Sequence, residues 1–470
     1  MRILIIFFMV FNVTYGVVLG QSLDQHPHTG TWKAGTAKIN ITPESPLWMA
    51  GFASRTHPSE GKLHELWIKA LALEDAEGFQ SVLVTADLLG IPKDLSDRIR
   101  QELKDQFQLS KSQIILNSSH THSAPVLENA LVDIYPLDNL QIKAVKDYSD
   151  HLVNQFITLV GNALEELEPV KLYSENGVSR FQVNRRNNDA TTLHRTSEIN
   201  GPSDYAVPVI KVENGAGEII AIAFGYACHP TVLSGYEWSG DYPGFAQIEL
   251  EKLYPGATAL FFQGAGADQN PLPRHTVSLA QQYGKTLAAA VVAVLQEDMK
   301  QLDPVLKTSY SEIDLPLSTL PSSEDLTSFV ENSSGYQQNW AKRMLENKHS
   351  GKAFPKTYPY PLQVWKLGEQ AVLTLGGELV VEYAIQLKRI FGPDIFVMGY
   401  SNDVMAYIPS TTILREGGYE GATSQMVYGL PSTWASSIEI KILNELVLLA
   451  AEVGVSQEES KLVGNIESGE

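Results

Sequence analysis

Asn117-Ser118-Ser119-His120-Thr121-His122-Ser123-Ala124-Pro125 follows Gln113-Ile114-Ile115-Leu116, a short apolar run that reads as a buried strand. Two histidines one residue apart diverge on a helix, where successive side chains rotate by about 100°. On a strand, or an extended turn leaving one, they point the same way. A strand end opening into a polar loop is where α/β proteins place their chemistry. Taken alone, the pair is equally readable as two hydrogen-bonded histidines at a strand end.

The segments around that stretch set the fold class. Upstream, Ala34 to Pro43, Trp67 to Leu73 and Ser81 to Asp87 read as strands. From Asp94, Leu95, Ile99, Leu103 and Phe107 recur at helical spacing, with Asp94 as the expected cap. A long helix is expected from about Asp147 to Glu168, and shorter ones over Pro243 to Tyr254 and Ser278 to Gln296. The strand Glu218 to Cys228 delivers His229-Pro230 at its end, and Thr258 to Phe262 runs into Gly264-Ala265-Gly266-Ala267-Asp268-Gln269-Asn270-Pro271. That glycine-rich stretch lacks the Gly-Lys-Ser/Thr ending of a phosphate loop, and no helix starts directly after it. Residues 305 to 360 show no strong period, and are expected to be a cover or an insertion. Ala371 to Leu375 is a strand ending at Gly376-Gly377-Glu378, before a helix over Val380 to Ile390. Asp394 to Tyr400 is a further strand, and a last helix covers Ser436 to Val453. Strand pairs mixed with strand–helix–strand units predict α/β with a mixed sheet, in one large domain over residues 31–455.

Composition narrows the partners. The chain has 470 residues, 44% hydrophobic and 19% charged, with a formal charge of −19. An acidic protein is repelled by nucleic acid and by anionic membranes. Met1-Arg2 followed by the apolar run Ile3 to Phe11 reads as a signal peptide over residues 1–20, so a periplasmic or extracellular location is expected. No later stretch is long and apolar enough to span a bilayer. The acidic residues 456–470 read as a disordered tail. Cys228 is the single cysteine, which excludes an intramolecular disulfide and a cysteine-based zinc site; its apolar neighbours suggest packing rather than nucleophilic duty.

The candidate site residues lie at strand ends or in glycine-rich loops. Glu378 sits between a strand and a helix start, where it meets a metal or simply complements the helix dipole. Tyr419, within Gly417-Gly418-Tyr419-Glu420-Gly421, is placed on a mobile segment. Arg185-Arg186 in a polar loop reads by itself as solvated surface.

The order of these pieces resembles the catalytic domain of the neutral/alkaline non-lysosomal ceramidases, which are zinc amidases. Gly35 to Pro43, Met49-Ala50-Gly51-Phe52 and Ser118 to Pro125 are similar to the family's motifs, and the resemblance spans nearly all of the mature chain. It implies a zinc ion held by His120, His229, Glu378 and Tyr407. It also implies that His122 takes the acid/base position, and that Arg185 and Tyr419 are catalytic. Zinc can lower the pKa of its water to about 7, so the implied reaction is attack of hydroxide on an N-acyl carbonyl, with His122 moving the proton. Arg185 and Tyr419 would donate to the oxyanion. Two departures stand out. The family's serine in Gly-Asp-x-Ser-Pro-Asn has no counterpart here, Gln269 being nearest. The chain also ends where the family's C-terminal β-sandwich would begin. The expectation is therefore an exported zinc-dependent amidohydrolase acting on a lipid or other small molecule. The same set also supports β-elimination at a uronic acid, or ester cleavage, on a polar substrate. A non-catalytic binding protein would have damaged these positions, and they are intact.

Overall fold

The computed structural model describes residues 30–458. The segment expected to be a signal peptide, residues 1–20, and residues 459–470 of the expected tail lie outside them. A nine-stranded sheet is built from β1 (Trp32–Asn40), β2 (Trp67–Glu74), β3 (Gln80–Ala86), β4 (Ile114–Ser118), β5 (Glu168–Val178), β6 (Ala206–Asn214), β7 (Ile219–Tyr226), β8 (Thr258–Gln263) and the short β9 (Lys300–Leu302). Its order is β8-β7-β6-β5-β1-β2-β3-β4, with β9 beside β5. Only β3/β4 and β7/β8 are parallel. A second sheet has the order β10 (Leu306–Pro316), β11 (Thr357–Leu367), β12 (Gln370–Leu375), β13 (Phe396–Met398), with β12/β13 parallel.

Strand alternation decides the layering. On β2 and β3, Ile68, Ala70, Ala72, Val82 and Val84 face helices α1 (Lys93–Phe107) and α2 (Asn139–Glu165). The intervening Leu71, Leu73 and Leu83 face the second sheet through Trp365, Leu367, Val372 and Phe396. Helices α3 (Asp241–Leu253) and α4 (Val277–Leu295) cover β7 and β8 on the outer side, with Phe224 and Phe261 meeting Leu250 and Leu287. The outer face of the second sheet packs on α7 (Val381–Phe391) and α8 (Ile438–Glu452), where Leu362 and Leu373 meet Leu387 and Ile442. The result is helix, sheet, sheet, helix. The loops that follow β4, β7 and β12 meet at one place, bringing His120, His122, His229 and Glu378 together.

Several expectations change. Residues 305–360 are largely regular: β10 pairs with β11 along its whole length, and α5 (Ser323–Asn332) with α6 (Gly335–His349) forms a helical hairpin between them. The partner of β10 lies some fifty residues away, so no local period revealed the pairing. α1 is entered from Pro92, with Asp94 inside the first turn. α2 begins earlier than expected, at a capping box made by Asp138 and Gln141. No helix among the described residues is long and apolar enough to cross a membrane.

Candidate metal centre

β4 ends at Ser118, and the chain turns sharply before its histidines. His120 takes a left-handed conformation (φ 64°), so the extended geometry expected of the pair is replaced by a turn. The turn still brings the two rings together. His229 arrives from the end of β7, and the Nε2 atoms of His120, His122 and His229 lie 3.1–3.2 Å from one another. Glu378 follows β12 and pairs through a two-residue parallel strand with Tyr407–Ile408. Its Oε2 is 3.2 Å from His120 Nε2 and 3.7 Å from His229 Nε2. All four side chains are buried.

Backbone acceptors fix the tautomers of two imidazoles. His120 Nδ1 is 2.5 Å from Leu89 O and His229 Nδ1 is 3.3 Å from Gly266 O. With those nitrogens as donors, both Nε2 lone pairs point at each other. Lone pairs 3.1 Å apart repel unless a cation lies between them. Nitrogens bound to a tetrahedral ion at 2.0–2.1 Å stand roughly 3.3 Å apart, close to the spacing seen. Glu378 Oε2 is buried and accepts no hydrogen bond among the described residues, while Oε1 accepts from Tyr428 Oη at 2.5 Å. An orphaned carboxylate oxygen beside converging imidazoles fits a divalent cation such as zinc.

His122 has a setting of its own within this cluster. Its Nε2 converges with the other two, so it is not set apart by distance. It differs in support: Nδ1 is buried with no partner among the described residues. Nothing fixes its tautomer. Burial, then the charges of His120, Arg55, Arg185 and Arg274, hold its pKa well below the usual histidine range. Burial likewise depresses His229. Gly51 (φ 103°) packs on the ring, where an added Cβ would come within 2.5 Å of His122.

Arg185 is not surface. Its Nε is 2.7 Å from Glu420 Oε1 and its Nη2 donates to Tyr407 Oη at 3.1 Å. Arg186 closes on the other oxygen of Glu420 at 2.7 Å. Burial alone would lower the Arg185 guanidinium, but Tyr407 and Glu420 outweigh it and hold it well above its ordinary pKa. The guanidinium carbon lies 5.6 Å from the ring centres of both Tyr407 and Tyr419, which meet edge-on at 5.3 Å. Tyr419 opens a turn of π-helix over Tyr419–Thr423 and is 41% exposed, at the mouth of the site. Burial and the charge of Glu378 push the Tyr407 phenol well above its usual range. Cys228 is buried and its thiol is raised by burial, in keeping with a packing role.

Four contributors were missed from the sequence. Tyr428 orients Glu378, and Glu420 pins the two arginines. Tyr400 packs tilted against His120, with ring centres 4.5 Å apart. Asn117 joins the two sheets: its Oδ1 accepts from Gln263 N, and its Nδ2 donates to Gly399 O and Ser401 Oγ. Asn117 and Glu420 stood inside quoted motifs and could have been flagged. Tyr428 and Tyr400 carried no local signal.

The family described as "Neutral/alkaline non-lysosomal ceramidase, N-terminal" matches residues 32–290. Comparison with curated protein sequences gives no significant match. Among solved structures, "Crystal Structure Analysis of neutral ceramidase from Pseudomonas aeruginosa" superposes with a TM-score of 0.70 at 17% identity, over 90% of this chain and 74% of that one. "Ceramidase complexed with C2" gives 0.71 at 17% identity, over 93% and 77%. At that identity the likeness establishes the shared fold.

Proposed function

The chain belongs to the neutral/alkaline non-lysosomal ceramidase family, and on that premise we propose that it is a zinc-dependent hydrolase cleaving an N-acyl (amide) bond, exported by a signal peptide. The observation that carries the reading is the convergence of three imidazole Nε2 atoms, two of which lie beside an unpartnered, buried Glu378 oxygen. His120, His229 and Glu378 would hold the ion, with Tyr407 alongside. When bound, zinc supplies Lewis acidity and a water that ionises near neutral pH.

The chain's own residues divide the remaining work. His122 has an unlocked tautomer and a depressed pKa, so it is neutral at pH 7 and free to accept a proton and return it to a leaving amine. Arg185 is pre-positioned by Glu420, and pays no reorganisation cost when it donates to a developing oxyanion. Tyr419 stands at the entrance, where its hydroxyl can reach the same oxygen. Each such donor contributes about 3 kcal/mol.

The test combines metal analysis with product mass. Purified wild type should hold one zinc per chain and His229→Ala should hold none; a metal-free wild type, or an unchanged His229→Ala, would sink the proposal. Hydrolysis adds one water across the products of an N-acyl substrate. Products with no added water and a new absorbing double bond would instead assign elimination.

A further inference from the structure

Three arginines act on His122 from around the centre, and two of them are spoken for. Arg55 donates to the carbonyls of Ala50, His122 and Gly235. Arg185 is paired with Glu420 and Tyr407. Arg274 is half-buried, yet makes no ion pair and no side-chain hydrogen bond among the described residues. Its location is fixed by the backbone. The strand Gln269–Pro271 pairs with Gln182–Asn184, the strand that leads into Arg185. On one side of Arg274, His229 N donates to Gln269 O at 2.8 Å; on the other, His275 N donates to Val232 O at 2.6 Å. The segment 269–275 is therefore strapped at both ends onto the loop that carries His229. Along the same segment, Gln269 is fully buried with neither amide atom partnered.

A half-buried guanidinium without a directly bonded counter-charge is costly. In a chain of formal charge −19 there is no shortage of carboxylates to supply one. Burial and the neighbouring charge of Arg185 both work against Arg274 being charged; the buried Asp241 acts the other way, but neither it nor any other carboxylate is hydrogen-bonded to the guanidinium among the described residues. The missing partner is a planar anion that fits the fork of a guanidinium. A wholly neutral ceramide offers none.

We propose that Arg274, with Gln269 beside it, forms a carboxylate-binding subsite next to the metal centre, so that the substrate carries a carboxylate close to the bond that is cleaved. The inference rests on the hydrolase reading and narrows its substrate class. The carboxylate has two chemical sources, an N-acyl amino acid or a uronic-acid sugar.

Equilibrium binding tests the subsite without turnover. The probes are N-lauroylglycine against its methyl ester, and a glucuronic-acid disaccharide against its carboxyl-reduced form, each with zinc-loaded wild type, Arg274→Gln and Arg274→Lys. In at least one pair, wild type should favour the carboxylate by tenfold or more. Arg274→Gln should bring that ratio towards one, with partial recovery in Arg274→Lys. The pair that discriminates names the source. No preference in either pair overturns the subsite, and so does a preference that persists in Arg274→Gln, because the metal would then be reading the carboxylate. Assaying the same compounds for cleavage separates the two claims. Carboxylate binding that depends on Arg274 without hydrolysis leaves the subsite standing and removes the hydrolase. Hydrolysis without carboxylate preference does the reverse.

Discussion

His120 and His122 differ by what lies behind their rings. His120 is held by Leu89 O, whereas His122 Nδ1 has no acceptor and its ring rests on Gly51 and Phe52. Gly51→Ala should therefore displace His122 while leaving His120 and His229 in place, and the φ of 103° adds strain of its own. The expected outcome is a fall in kcat of roughly 100-fold or more with zinc content retained. Loss of zinc in that variant would show His122 to be an essential ligand. Tyr428→Phe removes the hydrogen bond that orients Glu378, and should weaken zinc affinity by about 10–100-fold in a chelator competition. Unaltered affinity would mean that Tyr428 does not tune the ligand.

Short elements do the positioning. The parallel pair Glu378–Leu379 with Tyr407–Ile408 is only two residues long, yet it sets a metal-ligand candidate beside the tyrosine that Arg185 holds. Asn117 closes the join between β4, β8 and the loop after β13. Asn117→Ala would leave the buried Gln263 N–H without its acceptor, at a cost of about 1–3 kcal/mol in denaturant unfolding. The same change should weaken zinc binding, because the loops it joins carry the centre. A stable variant with normal zinc content would show that the sheets hold together without that amide.

Across the whole molecule, stability should depend on pH through buried aspartates as well as through the histidines. Burial raises Asp403 to about 7, and Asp241 and Asp268 to about 6. A carboxyl whose folded pKa exceeds its unfolded value keeps its proton in the folded state and loses it in the unfolded one. Its contribution therefore falls as pH rises from about 4 to about 7. Asp403→Asn keeps the acceptor for Tyr358 but not the titration. Relative to wild type, this variant should gain stability between pH 4 and pH 8, by up to about 4 kcal/mol. A difference independent of pH would mean that Asp403 does not titrate in this range. The depressed His122 and His229 act in the opposite sense, losing stability as pH falls through about 6.5 in the metal-free protein. Zinc removal should lower Tm, since an ion bound only by the folded state stabilises it by mass action.

The strand ends that carry His120, His122, His229 and Glu378 and the glycine-flanked Tyr419 were legible because they are local features, whereas Arg185, Tyr407 and the roles of all seven residues came only from the resemblance to the family. A buried apolar run followed by His, or by Gly-Gly-Glu, shows where a side chain leaves a sheet whatever the partner strand is. The mixed α/β class was legible for the same reason. Which of those ends meet was not local. Leu89 behind His120, Gly266 behind His229, Tyr428 behind Glu378 and Glu420 behind Arg185 are separated from their partners by 31 to 235 positions. The turn at His120, the pairing of β10 with β11, and the strapping of the Arg274 segment onto the loop of His229 follow from the packing of the two sheets and the loops between them. The sequence determined the chemical groups and the strand ends that carry them. Only the tertiary structure decided which groups hold one another, because convergence depends on strand crossings that no local period records.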